Sequence, residues 1–368
     1  MQDETVCDEC GNVIPSGEGW DYHDKVFCSE CYDSHFPHCV NCGERYDEDE
    51  QRGAWGGMCE SCSEEHFICE ECGNRFHNDD YGEDGLCINC NNTRQSQYIH
   101  HYHGGPEGKL CFHQTRFDNI NETLYFGVEL ETEEYSDRME AAEELHELSD
   151  NEQLFWLEED CSLEEGIEII TQPCTLEYHK EEFPWGKITA AVHHQRGKAF
   201  SGEKAALHIH SSLAFFSGVH SELYQLRLIY LGERFRQELL TIGRTTSYLA
   251  DRSAQSYHGI SLHNCPAKKK ISELKQHFGR LQAVNLKSSQ STIEFRFFRS
   301  SLSVPVILAY LELVDFLVRT AKGTNTKKLH SLPWADILKL IAAQKYQYLP
   351  QLIDRVFAGQ GRQTWREG

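Results

Sequence analysis

Six Cys-x-x-Cys pairs, beginning at Cys7, Cys28, Cys39, Cys59, Cys69 and Cys87, fill the first quarter of this 368-residue chain and use twelve of its sixteen cysteines. The first, third and fifth pairs each run into glycine: Cys10-Gly11, Cys42-Gly43 and Cys72-Gly73. Glycine there permits the positive-φ turn that aims two thiolates at one ion. Taken in order, the pairs make three units with internal gaps of 17, 16 and 14 residues. Such repetition marks three copies of one small module. A module of that size buries too little apolar surface to fold alone, so a zinc ion held tetrahedrally by four cysteines would supply the folding energy. The spacing predicts zinc ligands Cys7, Cys10, Cys28 and Cys31 in the first unit and Cys39, Cys42, Cys59 and Cys62 in the second. Cys69, Cys72, Cys87 and Cys90 form the third. A cross-braced pairing, or a share for His23, His35, His38, His66 or His77, is also compatible with the spacing. A disulfide framework fits poorly, because Met1–Cys7 has neither the basic segment nor the apolar run of a secretion signal. Closed four-ligand sites leave no open position for catalysis, so the modules read as scaffold or docking surface.

Charge separates this region from the rest. Residues 1–92 carry 23 Asp and Glu against four Lys and Arg, a net of −19 out of −23 for the whole chain. A nucleic-acid backbone needs the opposite sign, so the expectation is a basic protein partner or none at all, and no nucleic acid. No run of 18 consecutive apolar residues predicts a membrane span, and a cytoplasmic location is expected. Residues 93–118, rich in Asn, Gln, His and Gly and including His100-His-Tyr-His103, read as a linker to a second domain over 119–368.

That domain opens on Leu124-Tyr-Phe-Gly-Val-Glu-Leu-Glu-Thr-Glu133, which alternates strictly. Leu124, Phe126, Val128 and Leu130 share one side of a strand; Gly127, Glu129, Glu131 and Glu133 share the other. Carboxylates in such a row raise one another's pKa unless a cation is present. An amphipathic helix over Tyr135–Ser149 follows. Gly166-Ile-Glu-Ile-Ile-Thr-Gln-Pro173 reads as a strand stopped by proline, and Glu168 inside it needs a partner. Ala206-Leu-His-Ile-His-Ser-Ser212 places His208 and His210 on one strand face, as metal or phosphate ligands must be. Strands are predicted at Gln282–Lys287 and Ser291–Phe298, the latter with Glu294 and Arg296 on its polar face and Ile293, Phe295 and Phe297 toward the core. Helices are expected over 219–240, Ile271–Phe278, Val304–Ala321, Trp334–Ala343 and Leu349–Phe357. Neither GxxxxGK[ST] nor GxGxxG is present, so any nucleotide binds without a glycine fingerprint.

Four stretches now carry a resemblance: Phe126-Gly-Val-Glu-Leu-Glu131; Asp160-x-Ser-Leu163 before Gly166-Ile-Glu-Ile-Ile-Thr-x-Pro173; Leu207-His-Ile-His-Ser-Ser-Leu213; and Asn285-Leu-x5-Thr-Ile-Glu-Phe-Arg-Phe-Phe-Arg299. In this order they resemble the amidoligase family, relatives of glutamine synthetase and glutamate–cysteine ligase among carboxylate–amine ligases. The match spans about residues 120–320 and excludes the zinc modules. Where that family usually has Asp-Gly-Ser, this chain has Asp160-Cys161-Ser162. The resemblance implies an α+β fold: an antiparallel sheet of glutamine synthetase type with outer helices, whose face holds ATP and Mg²⁺ or Mn²⁺. It further implies that Glu129, Glu131, Glu168, His208 and Glu294 hold the metal. His210, Arg296 and Arg299 would bind the nucleotide's phosphates, with Arg's planar fork suited to that task. The function implied is ATP-dependent joining of a carboxylate to an amine through an acyl phosphate, with the zinc modules recruiting a protein or peptide substrate. Two other readings compete: a phosphotransferase on a related sheet, and a non-catalytic zinc adaptor with a degenerate enzyme domain.

Overall fold

The structure is a computed structural model. It describes residues 5–15, 17–22, 24–47, 57–82, 85–101, 105, 110–116, 123–160, 163, 165–200, 204–246, 267–277, 282–286 and 291–358. His23, His103, Cys161, Ser162, Phe278 and Lys287 lie outside the described residues. The chain divides into two compact units, Met1–Gln95 and Ser96–Gly368.

In the first unit the thiols gather in sequence order, as three sets of four cysteines whose ligand atoms lie within 4.8 Å of one another. One hydrogen-bond pattern repeats in all three. The N–H of Cys7, Cys39 and Cys69 donates to the carbonyl five residues on, that of Asn12, Glu44 and Asn74. Gly11, Gly43 and Gly73 donate back to the carbonyl of that same cysteine at 2.9 Å. Their φ values of 74°, 76° and 67° are what the tight turn demands and a side chain would resist. The second pair of each set stands at a helix start, before Ser29–His35, Glu60–Glu64 and Ile88–Tyr98. Backbone N–H groups therefore point at the sulfurs. At Cys7 the N–H of Cys10 leads; at Cys39 and Cys69 desolvation opposes, but the N–H groups of Cys42 and Cys59, and of Cys72 and Cys87, outweigh it. Each first thiol is drawn down to about 6, which favours the metal-binding thiolate. The described histidines brace the knuckles. His38 Nδ1 meets Gly43 O at 2.9 Å and His66 Nδ1 meets Cys62 O at 2.6 Å, while His35 and His77 pair with Glu9 and Asp79. The buried clusters of this unit are small, such as Tyr46 and Met58 among Cys39, Cys59 and Cys62.

The second unit is built on a seven-stranded sheet, antiparallel throughout: β1 (Tyr125–Thr132), β2 (Phe155–Glu158), β3 (Ile167–Thr171), β4 (Cys174–Thr175), β5 (Ala206–Ser212), β6 (Val284–Asn285) and β7 (Thr292–Arg299). Its order is β6-β7-β5-β1-β3-β2, with β4 also on β1. One face is apolar. Phe126, Val128 and Leu130, Ile167 and Ile169, Leu207 and Ile209, and Ile293 and Phe295 join a single core with the helices. The centre of that layer is Val304–Gly323, buried from Val306 to Val318, with Ser221–Arg234 and Leu349–Phe357 against it. At roughly 25 cal/mol per Å² of apolar area, burial of this kind is the main stabilising term.

Two expectations are corrected, and one strand, whose Ile293, Phe295 and Phe297 reach the core as expected, carries an irregularity besides. The helix over 219–240 is two, Ser221–Arg234 and Arg236–Ile242, broken at Phe235. β7 does not alternate to its end: Ile209 pairs with Phe295 but Leu207 with Phe298, so one extra residue is inserted opposite His208. This β-bulge lets the adjacent Phe297 and Phe298 both be buried. Finally, the stretch read as a linker is tied down over its described residues. The Ile88–Tyr98 helix enters it, His100 bridges to Glu158, and His113 bridges to Cys174. Ile99 belongs to the main core, so this backbone is held by burial as well as by pairing.

Among the described residues no helix is long and apolar enough to cross a membrane. Metal analysis of the full chain, purified without added zinc, should find about three zinc ions. A strong chelator should abolish hydrogen-exchange protection in residues 5–92 first, leaving β1, β5 and the Val304–Gly323 helix protected.

Candidate active site

Antiparallel register turns the polar sides of β1, β2, β3, β5 and β7 into aligned rows. Glu131 stands opposite Glu168, and Glu168 opposite Glu158. In the next row, Glu129 lies between His208 on β5 and Ile170 on β3, which in turn faces Trp156 on β2. One row further, Gly127 faces His210, which faces Glu294, which faces Asn285. Alternation alone therefore assembles five carboxylates, two imidazoles and the guanidinium of Arg296 on one face. Glu131, Glu158, Glu168 and Glu294 are each no more than 5% exposed.

The contacts are short. His208 Nδ1 lies 3.0 Å from Glu129 Oε2, and its Nε2 lies 3.8 Å from Glu131 Oε1. His210 Nε2 lies 2.9 Å from Glu129 Oε1, an ion pair too bent to count as a hydrogen bond, while its Nδ1 meets Thr292 Oγ1 at 2.8 Å. Glu294 takes Arg296 Nη1 on one oxygen and Asn285 Nδ2, at 2.7 Å, on the other. Glu131 Oε2 accepts the backbone N–H of Ala206 at 2.6 Å. Glu158 accepts Trp156 Nε1 at 2.7 Å and the N–H of Gly105 at 3.1 Å.

These neighbours divide the carboxylates electrically. Burial pushes Glu129 up, but the charge of His210, the hydrogen bond from His208 and the charge of His208 outweigh it and hold this carboxyl well below its usual range. The mutual repulsion expected for it is thus cancelled. Glu131 goes the other way: burial, with Asp160 adding, raises it to about 7 against the pull of His208 and Ala206. Glu168 is raised well above the ordinary value by burial and then by Glu129, Glu131, Asp160 and Glu158. It has no hydrogen bond or ion pair among the described residues, so the partner that its position demands is not a neighbouring cation among them. Burial lowers His210, while Glu129 and Glu294 raise it to a net increase. Arg296 is likewise opposed by burial and raised by Glu294.

The ligand atoms of Glu129, Glu168 and His208 lie close enough to share an ion, as do those of Glu129, His210 and Glu294. Carboxylate oxygens suit hard divalent cations, and an imidazole in the set also suits transition metals. Of the residues singled out from sequence, Glu129, Glu131, Glu168, His208, His210, Glu294 and Arg296 meet on this face. Arg299 makes no ion pair with the cluster; its guanidinium lies 4.2 Å over the Phe200 ring, with Arg244 as its charged neighbour. Sequence reasoning missed Glu158, Asn285 and Thr292. Their roles come from cross-strand register, and no spacing in the chain announces them. No family model and no curated protein matches the chain.

Glu131 sets a pH dependence. Its folded value of about 7 lies above the ordinary 4.5, so its contribution is complete below about 4.5 and is lost as pH rises through 7. Glu168 and His210 act in the same direction, and Glu129, held low, is fully ionised across this span. In magnesium-free buffer with zinc retained, the wild-type melting temperature should fall from about pH 5 to about 8, and Glu131→Gln should remove a share on the order of 3 kcal/mol. Parallel melting curves for the two proteins would show this; identical slopes would contradict it.

Proposed function

We propose that the second unit is an ATP-dependent ligase joining a carboxylate to an amine, on a sheet of glutamine synthetase type. The observation that carries this reading is Glu168, buried without a cationic partner among the described residues between Glu131 and Glu158, beside the Glu129, His208, His210 and Glu294 donors. Such a face is costly to keep in a protein unless divalent cations visit it.

The residues present fit that task. Glu129, Glu168 and His208 would hold one ion; Glu129, His210 and Glu294 would hold another. When bound, these ions neutralise phosphate oxygens and the charge that develops on them. Glu131, anchored by Ala206 N–H and facing His208, positions the first set. Arg296, fixed by Glu294, is the guanidinium on this face suited to phosphate oxygens. A carboxylate oxygen of the substrate attacks the γ-phosphorus as the bond to ADP breaks. The incoming amine nitrogen then attacks the acyl carbon of that acyl phosphate, the carbon–oxygen bond to phosphate breaks to release inorganic phosphate, and the nitrogen sheds a proton to solvent. What the protein supplies is alignment and charge placement.

The three four-cysteine modules stand outside this chemistry. Their closed ligand sets and net charge of −19 suit capture of a protein or peptide substrate, or of a basic partner. The enzyme is expected to consume ATP only when carboxylate and amine are both supplied. ADP release with a single acceptor would instead favour the phosphotransferase reading.

Glu129→Gln removes a ligand common to both sets and should cut ADP release by a factor of about 100 or more. Arg296→Lys keeps the charge but loses the fork, and should lower kcat more than it raises KM for ATP. Glu133→Gln, beyond the aligned rows, should keep wild-type turnover. ADP assays with Mg²⁺, read beside melting temperatures, decide the matter: wild-type turnover in Glu129→Gln would exclude this site.

A further inference from the structure

Beside the carboxylate cluster, on the same sheet face, lies a cavity of about 230 Å³. Tyr125, Trp156, Ile170 and Pro173 line it, together with Leu110 and Phe112, which are 47% and 46% exposed. Gly127 leaves the space open: a Cβ there would meet nothing closer than His210 Cβ at 3.7 Å. The cavity adjoins the reacting region through Glu129 and His210, which also line it. Among the described residues no Lys or Arg does, so its described lining offers no cation to a phosphate.

Several of its polar atoms are already engaged with the fold, while His210 Nε2 beside Glu129 is left without a hydrogen bond among the described residues. Ser212 Oγ accepts Tyr125 N–H at 3.1 Å, and Thr171 Oγ1 accepts Val128 N–H at 2.9 Å. Thr292 Oγ1 is bonded to His210, Tyr125 OH donates to Gln114 at 2.6 Å, and Trp156 Nε1 is given to Glu158. An occupant is therefore recognised chiefly by apolar contact. A nucleotide base, with donors and acceptors around its rim, would leave them unpaired at a cost of about 1–3 kcal/mol each.

We infer that this cavity takes the apolar body of the carboxylate substrate, an aryl or branched alkyl group. Its carboxylate is directed to the ions that Glu129, His210 and Glu294 would hold. The inference rests on the ligase reading for the identity of the reacting group. The volume agrees: a dry cavity of about 150 Å³ accepts benzene, so this one accepts a benzyl-sized group with a short stem. Trp156 and Tyr125 favour a flat ring. A highly polar acid such as glutamate would gain nothing from these walls.

The test is calorimetric titration of the full-length, zinc-loaded protein with Mn²⁺ and a non-hydrolysable ATP analogue present. The probes are 3-phenylpropionate, 4-methylpentanoate, an N-acetylated tripeptide ending in phenylalanine, and glutamate. Either apolar acid, or the peptide, should bind at least about tenfold more tightly than glutamate. The free acids and the peptide separate a small-molecule source from a protein chain end. Gly127→Val fills the cavity and should weaken apolar-acid binding by about tenfold or more while leaving the nucleotide analogue's affinity within about twofold. Phe112→Ala, at a half-exposed position against the Tyr125 ring, should weaken the acid in the same sense, with the melting temperature read beside it. Equal or tighter binding of glutamate would overturn the inference. So would a Gly127→Val protein that loses the nucleotide analogue instead of the acid. Apolar-acid binding that obeys both variants, without ADP formation from ATP with any amine, would overturn the ligase reading and leave the cavity's occupant standing.

Discussion

Desolvated negative charge is the constraint around which the second unit is arranged. Glu131, Glu168 and Glu158 stand in register across three neighbouring strands, where like charges destabilise a sheet. Such a row survives because β1, β3 and β5 are apolar on their other side and share one core with a helix buried for most of its length. The histidines moderate the strain unevenly. Glu129 has both of them and stays ionised; Glu168 has neither in contact and is pushed toward its neutral form. Two carboxyl groups on adjacent strands are thereby prepared for different parts by neighbours alone.

The two units obtain their stability in different ways. In the first, the buried clusters consist largely of the cysteines themselves, so thiolate–metal bonds stand in for a core. In the second, a continuous apolar layer carries the fold, and metal would serve only the polar face. Loss of one kind of ion therefore need not entail loss of the other. The repeated knuckle geometry, with its three left-handed glycines, also shows that the modules are structurally equivalent where their ligands are concerned.

Much of this was legible before any coordinates. Period-two alternation located β1, β3, β5 and β7, and the Cys-x-x-Cys-Gly spacing grouped the thiols correctly. What the chain hides is register. Glu158 sits in a four-residue strand with three apolar neighbours, and only its pairing with Glu168 reveals which face it joins. The doubled Phe297-Phe298 was a signal of the bulge, since a strict strand cannot bury both, but alternation carried through it placed Phe297 as an ordinary core residue. The polar composition of residues 93–118 suggested a tether, yet Ile99, His100 and His113 fasten it, because a few buried or paired residues outweigh a polar average.

That fastening bears on how the protein behaves in a crowded solution. An antiparallel sheet ends in strands whose outer N–H and C=O groups invite another chain to add on. Here the β2 edge is occupied: His100 N–H donates to Leu157 O at 2.8 Å and Glu159 N–H donates to His100 O at 2.9 Å. At the opposite margin β6 is only two residues long. Among the described residues neither border strand is a long open template for intermolecular pairing, so strand-by-strand addition at the β2 edge is hindered by a few residues that carry no chemistry.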